Sequence, residues 1–600
     1  MIQYKKYFNK KKSVILLAFI PFLFGCQSWV EPALENIKDE NSLANEAQLA
    51  QQTLGHAYLG NPLGGYSFND VATDDAVSND FTNSYLKIAT GQWRSNNSPM
   101  NGDWQNRRGS IQYINLFISF LKDVEWSKDD RINTMFIDRM NGDAHGMRAL
   151  FTYYLLLEHA GWTADGQLLG IPLLTEPETT TSNFNLPRNT FAECIDSIRA
   201  DVQIAAGDLP LFYAPDGPND IFKDSDVPSR YRKDYVTASE YLRVFGNSHA
   251  GGRMSGAIAE AILAQAYLLA ASPAYSQGSG VTWEQAANQM ATVLSTLGSN
   301  PISQIDPTGN TWYQKDAPGA GINPKEILWR GDRVQNGHND GDIERDNFPP
   351  TLYGRGRINP TQNLVDAFPM SDGYPISQSS SYNPNKPYDN RDPRLGLYIV
   401  YNGSQLENST ITTAADGITN DALLKTETST RTGYYMRKLL RPGVVANPSQ
   451  PNDQYRYKAF IRYTEIFLGY AEAANEAWGP QGTGSNGYSA YDVIKAIRTR
   501  AGITGGDAYL ESIKGDQNAM RELIHNERRL ELCFEGNRFW DLRRWKASIT
   551  DPAQGVSISG GIPTLIPVVE QRAYADYMYY APIPYSEILK FSALVQNKGW

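Results

Sequence analysis

A series of amphipathic helical segments joined by short turns constrains the fold of this chain more than any other feature. Apolar residues recur in each segment at intervals of three and four, which is the spacing of one helix face. The segments are Glu46–Leu59, Trp104–Asp123, Ala144–Gly161, Phe191–Gly207, Met254–Ser272, Trp283–Leu297, Ile461–Trp478, Ala490–Ala501 and Asn518–Glu535. Successive helix pairs of this kind are typical of helix-turn-helix stacking of the tetratricopeptide type. The pattern predicts a mainly α fold.

The middle of the chain has a different character. From about residue 300 to residue 457 the helical periodicity fades, and proline, glycine, asparagine and aspartate become frequent. Short strand-like pieces occur at Glu326–Arg330 and Leu395–Tyr401, with a long polar loop, Gln335–Gly356, between them. Loops of this length are typically functional or disordered. We therefore predict a helical region over 42–299 and a second region over 300–600 that is loop-rich at first and then helical.

The N-terminus resembles a bacterial lipoprotein export signal. Five lysines precede an apolar run, Val14–Phe24, that is too short to span a bilayer. The run leads into Gly25-Cys26, which resembles a lipobox that is cleaved before a cysteine destined for lipidation. We predict a signal peptide over 1–25, lipidation at Cys26 and a lipidated tether over 26–41, which would anchor the protein without spanning the membrane. An ordinary signal peptide that contains a cysteine is the alternative.

The charge and the potential metal ligands limit the classes of function. The formal net charge of -10 argues against nucleic acid as a partner, because phosphate binding requires a basic surface. The six histidines show no metal-ligand spacing, and no nucleophile elbow or phosphate-binding loop is evident. We therefore predict no metal, no cofactor and no catalytic residue. Cys194 and Cys533 occupy apolar helix positions and are interpreted as core residues, with a disulfide between them left open.

The stretch from Glu527 to Trp545, ERRLELCFEGNRFWDLRRW, is dense in both charges and aromatic rings. The mixture predicts a helix end and a second helix joined by partly buried ion pairs, with arginine planes stacked on rings. Its carboxylates would serve an enzyme as an acid/base pair. However, each has arginines within helical reach that would keep it ionised. We favour a scaffold, and a surface glycosidase or peptidase is the alternative.

Ordered motifs along nearly the whole chain resemble the SusD/RagB family of Bacteroidetes outer-membrane lipoproteins. After the lipobox they are Met147–Gly161 with Gly170–Leu173, Gly252–Pro273, Pro360–Ile376, Tyr388–Leu395, Ile461–Ala477, Ala496–Ile503, the stretch 527–545, Tyr580–Ile588 and Gln596–Trp600. Two mild departures are Phe24 in the lipobox and Lys598, where a proline is often found.

The resemblance implies a SusD-like fold with four tetratricopeptide-like helix-turn-helix units and a loop-rich region with short strands that carries the ligand surface. It implies a lipid-anchored outer-membrane protein, exposed at the cell surface, that binds an oligosaccharide or polysaccharide. Such a protein is the lid of a SusC-like TonB-dependent transporter and delivers the ligand for import. A peptide-binding lipoprotein of the RagB type is the alternative, and a lid that touches the ligand little is another.

Ligand-binding residues are predicted where aromatic rings stand among amide and carboxylate groups. Sugar binding needs a flat ring against CH faces and polar groups for hydroxyls. We predict Asp75, Trp93 and Asn97, because Trp93 follows Gly91-Gln92 and precedes a polar loop. The resemblance supports this region, since family members carry ligand aromatics there. A core position for Trp93 is the alternative, and Trp104 is interpreted as a core residue.

A second group of predicted ligand-binding residues lies in the loop-rich region. Trp312 and Tyr313 are adjacent rings in a loop, where one can meet a ligand and the other the core. Tyr353 and Arg355 stand at the end of the long polar loop and face either the ligand or the transporter. Arg391 and Arg394 belong to a family motif and are interpreted as residues that hold the fold.

Overall fold

Helices packed in pairs form the larger part of the fold. The computed structural model describes residues 46–217, 219–317 and 322–600. The long helices are α1 (Ala47–Leu59), α2 (Asn101–Phe120), α3 (Asp130–His159), α4 (Phe191–Asp208), α5 (Gly256–Ala271), α6 (Trp283–Leu294), α7 (Tyr463–Trp478), α8 (Ala490–Arg500) and α9 (Gln517–Glu531). Four successive pairs, α1–α2, α3–α4, α5–α6 and α7–α8, pack side by side, and α9 lies against α7. The predicted mainly α fold with four tetratricopeptide-like units is confirmed.

Local sequence signals explain where these helices begin and end. The Thr190 hydroxyl accepts a hydrogen bond from the Glu193 amide at 3.2 Å, and the Glu193 carboxylate accepts one from the Thr190 amide at 2.8 Å. This reciprocal capping box satisfies amides at the start of α4 that have no partner within the helix. Helix α5 stops two residues before Pro273, because proline cannot continue a helix.

Short strands and short helices make up the loop-rich remainder. The strands of the described residues form two-stranded antiparallel pairs: β1 (Ala76–Ser78) with β6 (Ile358–Pro360), β2 (Gly161–Trp162) with β3 (Leu168–Leu169), β4 (Ile327–Arg330) with β12 (Ala459–Arg462), β5 (Val334–Asn336) with β11 (Gln454–Arg456), β7 (Ile399–Val400) with β10 (Tyr435–Met436), β8 (Ser404–Leu406) with β9 (Ser409–Ile411), and β13 (Ala553–Ser559) with β14 (Ile562–Glu570). The shorter helices are Ser84–Lys87, Ser229–Arg232, Ala238–Phe245, Asn247–Ala250, Ser276–Ser279, Ile343–Asn347, Gln362–Ala367, Pro393–Tyr398, Ala508–Ile513, Arg538–Arg544 and Tyr585–Lys590.

One predicted strand is confirmed and the other is mostly wrong. Glu326–Arg330 contains β4, whereas most of Leu395–Tyr401 belongs to the helix Pro393–Tyr398 and only two residues of it form β7. The helix forms because the Asp392 carboxylate accepts a hydrogen bond from the Arg394 amide at 2.8 Å and Pro393 occupies the first helical position. These start signals lie just outside the apolar run from which the strand was predicted.

A single large apolar core crosses the predicted boundary at residues 299 and 300. Its buried side chains include Leu150 of α3, Ile262 of α5 and Phe467 of α7, each at most 1% exposed. Helices of both predicted regions therefore share one core, and the boundary between them stays a prediction. A second cluster surrounds the short strands, and a third joins Trp93 to Phe539.

The stretch 527–545 forms the end of α9, a turn and the short helix Arg538–Arg544, and its charges are paired. The Arg394 guanidinium donates to Glu527 at 2.8 Å, to Glu531 at 2.9 Å and to Asp392 at 2.6 Å. All four side chains have no exposed surface. Burying charges is tolerated only when they are paired and hydrogen-bonded. The interpretations of this stretch and of Arg394 as scaffold are confirmed.

Most partners of this stretch come from distant parts of the chain, which corrects the expectation that neighbouring arginines hold the carboxylates. Glu535 pairs with Lys438 at 2.6 Å and with Arg462 at 2.8 Å. Arg529 pairs with Asp74 at 2.8 Å, some 455 residues earlier in the chain. Helical spacing does not reveal these contacts, because the partners Lys438, Arg462 and Asp74 lie on other elements of the fold. The stretch therefore connects several parts of the fold rather than two helices alone.

Acid is expected to unfold this protein through the buried carboxylates. Burial opposes ionisation of Glu531, but the charges of Arg500 and Arg394 outweigh it and lower its pKa to about 2. Arg544 acts in the same way on Glu472, whose pKa also lies at about 2. Because these folded-state values lie below the unfolded value of about 4.5, their stabilising effect is complete above pH 4.5 and is lost as the pH falls towards 2.

Thermal melts followed by circular dichroism at pH 7, 4.5 and 3 test this expectation. The melting temperature should change little between pH 7 and pH 4.5 and drop by many degrees at pH 3. Glu531→Gln, which cannot ionise, should melt lower at pH 7 and lose less on going to pH 3. A variant with the same pH dependence as the wild type would contradict the assignment to Glu531.

Candidate functional site

Two loops that are distant in sequence lie side by side because β1 pairs with β6. Ala76 lies opposite Pro360, and Ser78 lies opposite Ile358. Antiparallel pairing places the residues that follow β1 beside the residues that precede β6. The Asn79 amide donates to the Arg357 carbonyl oxygen at 3.3 Å, which continues the ladder past the end of β1.

The side chain of Asn79 fixes the two loops to each other. Its amide nitrogen donates to the carbonyl oxygens of Arg355 and Gly356, both at 2.9 Å. The Arg431 guanidinium contacts the first of these loops, since it donates to the Ser78 carbonyl oxygen at 2.7 Å. We call the surface formed by residues 79–82, residues 353–357 and Arg431 the loop face.

The loop face carries two exposed aromatic rings. Phe81 is 68% exposed and Tyr353 is 49% exposed. The Arg431 guanidinium lies 5.0 Å from the centre of the Phe81 ring, a cation–π distance that holds the ring in place while most of it stays open to solvent. Exposed rings held among polar groups are typical of binding surfaces.

The backbone at Tyr353 is strained. Its φ of 63° lies in the left-handed region that side chains other than glycine rarely adopt, at a cost of about 1 kcal/mol or more. The Arg345 guanidinium donates to the Tyr353 carbonyl oxygen and so helps to hold this conformation. Strain of this kind concentrates at functional sites, which makes Tyr353 a candidate for ligand contact.

Charged groups lie on the same loop face as these rings. The Arg355 guanidinium pairs with Asp340 at 2.6 Å and remains partly exposed. Arg431 pairs with Glu570 at 2.9 Å. Hydrogen bonds from Thr82 lower the pKa of Asp80, so its carboxylate is ionised at neutral pH. Guanidinium and carboxylate groups beside open rings match what sugar hydroxyls and CH faces require.

The structure places Trp93 in the core, so the expectation of an exposed indole is wrong. Trp93 is 0% exposed, and its ring lies 5.0 Å from Trp600 and 6.0 Å from Phe539. Its indole nitrogen donates to the Ser98 hydroxyl at 3.2 Å. The polar residues around Trp93 in sequence indicated a surface loop, but rings more than 440 positions away in the chain pack against the indole. Trp104, at 1% exposed, is confirmed as a core residue.

The other two predicted residues of this segment have different environments. Asp75 is fully buried, and its carboxylate accepts a hydrogen bond from Arg529 at 2.7 Å, so the expectation that it faces a ligand is wrong. Asn97 is exposed in a tight turn with Arg94 and donates to the Gln92 carbonyl oxygen at 3.2 Å. Its role in ligand binding stays a prediction.

Trp312 and Tyr313 are both core residues, which corrects the expectation that one of them meets a ligand on the surface. They are 4% and 5% exposed. The Tyr313 hydroxyl donates to the Leu397 carbonyl oxygen at 3.1 Å, and Tyr457 donates to the Trp312 carbonyl oxygen at the same distance. The short 3₁₀ helix Gly309–Gln314 packs both rings into the cluster around the strands.

Tyr353 and Arg355 belong to the loop face, and sequence reasoning missed its other main members, Phe81 and Arg431. The signal for Phe81 was present, since a large ring in the turn-forming run Asn79-Asp80-Phe81-Thr82 has few local apolar neighbours to cover it. The signal for Arg431 was absent, because its position beside Phe81 depends on a contact 350 residues apart.

Cys194 and Cys533 are buried free thiols, which confirms their interpretation as core residues. Cys26, the signal peptide and the tether lie outside the described residues. No helix in the described part of the chain is both long and apolar enough to cross a membrane.

Comparisons with known protein families match both halves of the chain. A family model described as the SusD family matches residues 325–600. A second model, described as starch-binding associating with outer membrane, matches residues 33–216. Among curated proteins, two SusD-like proteins of Formosa agariphila are 32% identical over 111 residues and 31% identical over 140 residues. These matches cover 18% and 23% of this chain and only 19% and 24% of the relatives' length.

Solved structures show the same fold over nearly the whole length. A SusD-like protein from Bacteroides fragilis superposes with a TM-score of 0.69 at 23% identity, covering 95% of this chain and 100% of that one. A SusD-like carbohydrate binding protein from the same species gives 0.66 at 22% identity, covering 92% and 99%. Surface glycan-binding protein A from Bacteroides fluxus gives 0.56 at 16% identity, covering 93% and 100%.

Proposed function

The chain belongs to the SusD family, and we propose that it binds an oligosaccharide or polysaccharide at the loop face. The observation that carries this proposal is the pair of open rings, Phe81 and Tyr353, on two loops that Asn79 fastens together. Guanidinium and carboxylate groups around the rings suit hydroxyl groups, and the rings suit the CH faces of sugar units. The carbohydrate-binding description of one structural neighbour supports the same class of ligand.

We further propose that the protein works on the outer membrane as a lipid-anchored lid of a SusC-like TonB-dependent transporter. The matched family description, which names association with the outer membrane, supports the location. The lipobox at Cys26 supports the anchor. In this proposal the open face captures the polymer and the partner imports it. The chain itself then needs no catalytic residues.

The carboxylates in the stretch 527–545 are buried and held ionised by ion pairs, which supports binding without catalysis. Burial opposes ionisation of Glu527, but Arg394 and Arg498 outweigh it and lower its pKa. Arg462 and Lys438 have the same effect on Glu535. A general acid needs a raised pKa and access to substrate, and paired carboxylates inside the scaffold offer neither.

Affinity electrophoresis through gels that contain single polysaccharides tests the proposed function. We expect the purified protein to be retarded by at least one polysaccharide and to leave its chain length unchanged after long incubation. Release of shorter products would identify an enzyme instead. If no polysaccharide retards the protein while it retains its fold, glycan capture is wrong, and binding of a peptide panel would then identify the RagB-type alternative.

A further inference from the structure

A cleft of about 630 Å³ lies between two groups of helices and loops. One side is formed by helices α1, α2, α3 and α5, and the other by residues 60–69, 458–465 and 536–544 together with Tyr85 and Arg528. It shares no residue with the loop face. Its volume lies within the range of small-molecule binding sites. Exposed residues at its mouth, among them Leu59, Gly65 and Asn106, leave it open to solvent.

Half-buried aromatic rings line this cleft. They are Tyr66, Tyr85, Tyr154, Phe460 and Trp540. Rings with one part in the core and one part facing a cavity are fixed in orientation and can pack against an apolar ligand face. The wall opposite the helices is also held firmly, because the Lys458 ammonium donates to the carbonyl oxygens of Leu63 and Gly65.

Polar atoms on the cleft walls lack partners among the described residues. Asn69 is 2% exposed and Arg528 is 3% exposed, and both line the cleft. The side-chain oxygen of Asn69 and one terminal nitrogen of Arg528 have no hydrogen-bond partner in the described part of the chain. A buried polar atom without a partner costs about 1–3 kcal/mol. Both atoms have less than 1 Å² of accessible surface, so they lie inside the wall and do not face the open space of the cleft.

A small chamber of about 30 Å³ adjoins the cleft. Tyr66, Lys458 and Phe460 line both spaces. Trp312 lines the chamber, and its indole nitrogen is another buried donor without a partner in the described residues. The cleft and the chamber therefore share part of one wall.

The charged groups of the cleft largely compensate each other. Arg107 pairs with Glu158, and Asp541 pairs with Arg528 at 3.2 Å and with Arg544 at 2.8 Å. A cleft with paired charges has no strong field of one sign to attract an ion. Apart from these paired charges, the cleft offers aromatic rings together with hydrogen-bond donors and acceptors. A hydroxyl group both donates and accepts, so a neutral polyhydroxylated molecule matches this lining best.

We propose that this cleft is a second ligand site, which takes a neutral sugar of mono- or disaccharide size. The rings pack against its CH faces, and the half-buried amide side chains of Asn61 and Asn537, which line the cleft, bind its hydroxyls. This site is enclosed by helices and suits a short sugar, whereas the loop face is open and suits a polymer. The two sites are therefore expected to bind independently.

A variant at the mouth of the cleft tests the proposal. Asn106 is exposed on α2 and lines the cleft, so Asn106→Trp should fill the entrance without disturbing the core. Ser119→Trp is the matched control, since Ser119 is exposed near the end of the same helix and does not line the cleft. Equal melting temperatures of the two variants would show that both retain the fold.

Calorimetry with glucose, galactose, mannose, xylose, maltose, cellobiose and lactose provides the readout. We expect at least one of these sugars to bind the wild-type protein with one-to-one stoichiometry. Asn106→Trp should weaken that binding at least tenfold, whereas Ser119→Trp and a Phe81→Ala/Tyr353→Ala variant should leave it unchanged. The proposal is overturned if none of the seven sugars binds, or if binding survives Asn106→Trp. Loss of binding in the loop-face variant would also overturn it, because the sugar would then occupy the loop face.

Discussion

Arg394→Met is expected to destabilise the folded protein by about 3–5 kcal/mol, the cost of breaking a buried ion pair by removing one partner. The guanidinium of Arg394 holds three carboxylates, those of Asp392, Glu527 and Glu531, at 2.6–2.9 Å. Methionine fills much of the volume but supplies no charge and no donor. The carboxylates left behind keep other partners, yet they lose the group that lies between them.

Chemical unfolding in urea, followed by circular dichroism, measures this effect. Arg199→Met is the control, because the Arg199–Asp196 pair on α4 is largely exposed. Exposed pairs contribute at most about 1 kcal/mol, so this variant should unfold close to the wild type. Equal unfolding midpoints for the two variants would show that the Arg394 network does not stabilise the fold.

Phe81→Ala and Tyr353→Ala are each expected to weaken polysaccharide binding about tenfold, and the double variant about a hundredfold. Each open ring that packs on a sugar contributes on the order of 1–2 kcal/mol, and 1.4 kcal/mol corresponds to a tenfold change in affinity. The contributions should add, because the two rings lie on different loops. Both side chains are exposed, so the melting temperature should change little.

Calorimetry with an oligosaccharide prepared from the polysaccharide that retards the wild type gives these affinities. Phe184→Ala is a suitable control, because Phe184 is 44% exposed and lies outside the loop face. An equal loss in this control would point to a general effect of exposed rings. If the double variant binds as tightly as the wild type, the loop face is not the binding site.

The helices could be predicted from the sequence because their signals are local. Thr190 and Glu193 cap α4 from within one turn, and the apolar spacing of each segment sets the face that it buries. The prediction of a strand at Leu395–Tyr401 was wrong because it rested on the apolar run alone. The start signals at Asp392 and Pro393 are local too, but they lie outside the apolar run that indicated a strand.

The candidate site could be predicted only in part, because exposure is set by long-range packing. Trp93 and Tyr353 both follow glycine-containing or polar segments, yet one is enclosed by Phe539 and Trp600 and the other remains open. Nothing within ten residues of Trp93 indicates that these rings will cover it. The ion pairs could not be predicted for the same reason, since Arg529 pairs with Asp74, which lies 455 residues away in the chain.

Hydrogen–deuterium exchange of the protein, with and without the polysaccharide that binds it, tests the central claim most directly. Amides in a binding loop exchange more slowly when a ligand covers them. We predict slower exchange in peptides that cover residues 79–82 and 353–357, with little change elsewhere in the chain. Protection confined to other segments, with unchanged exchange in both loops, would contradict glycan capture at the loop face.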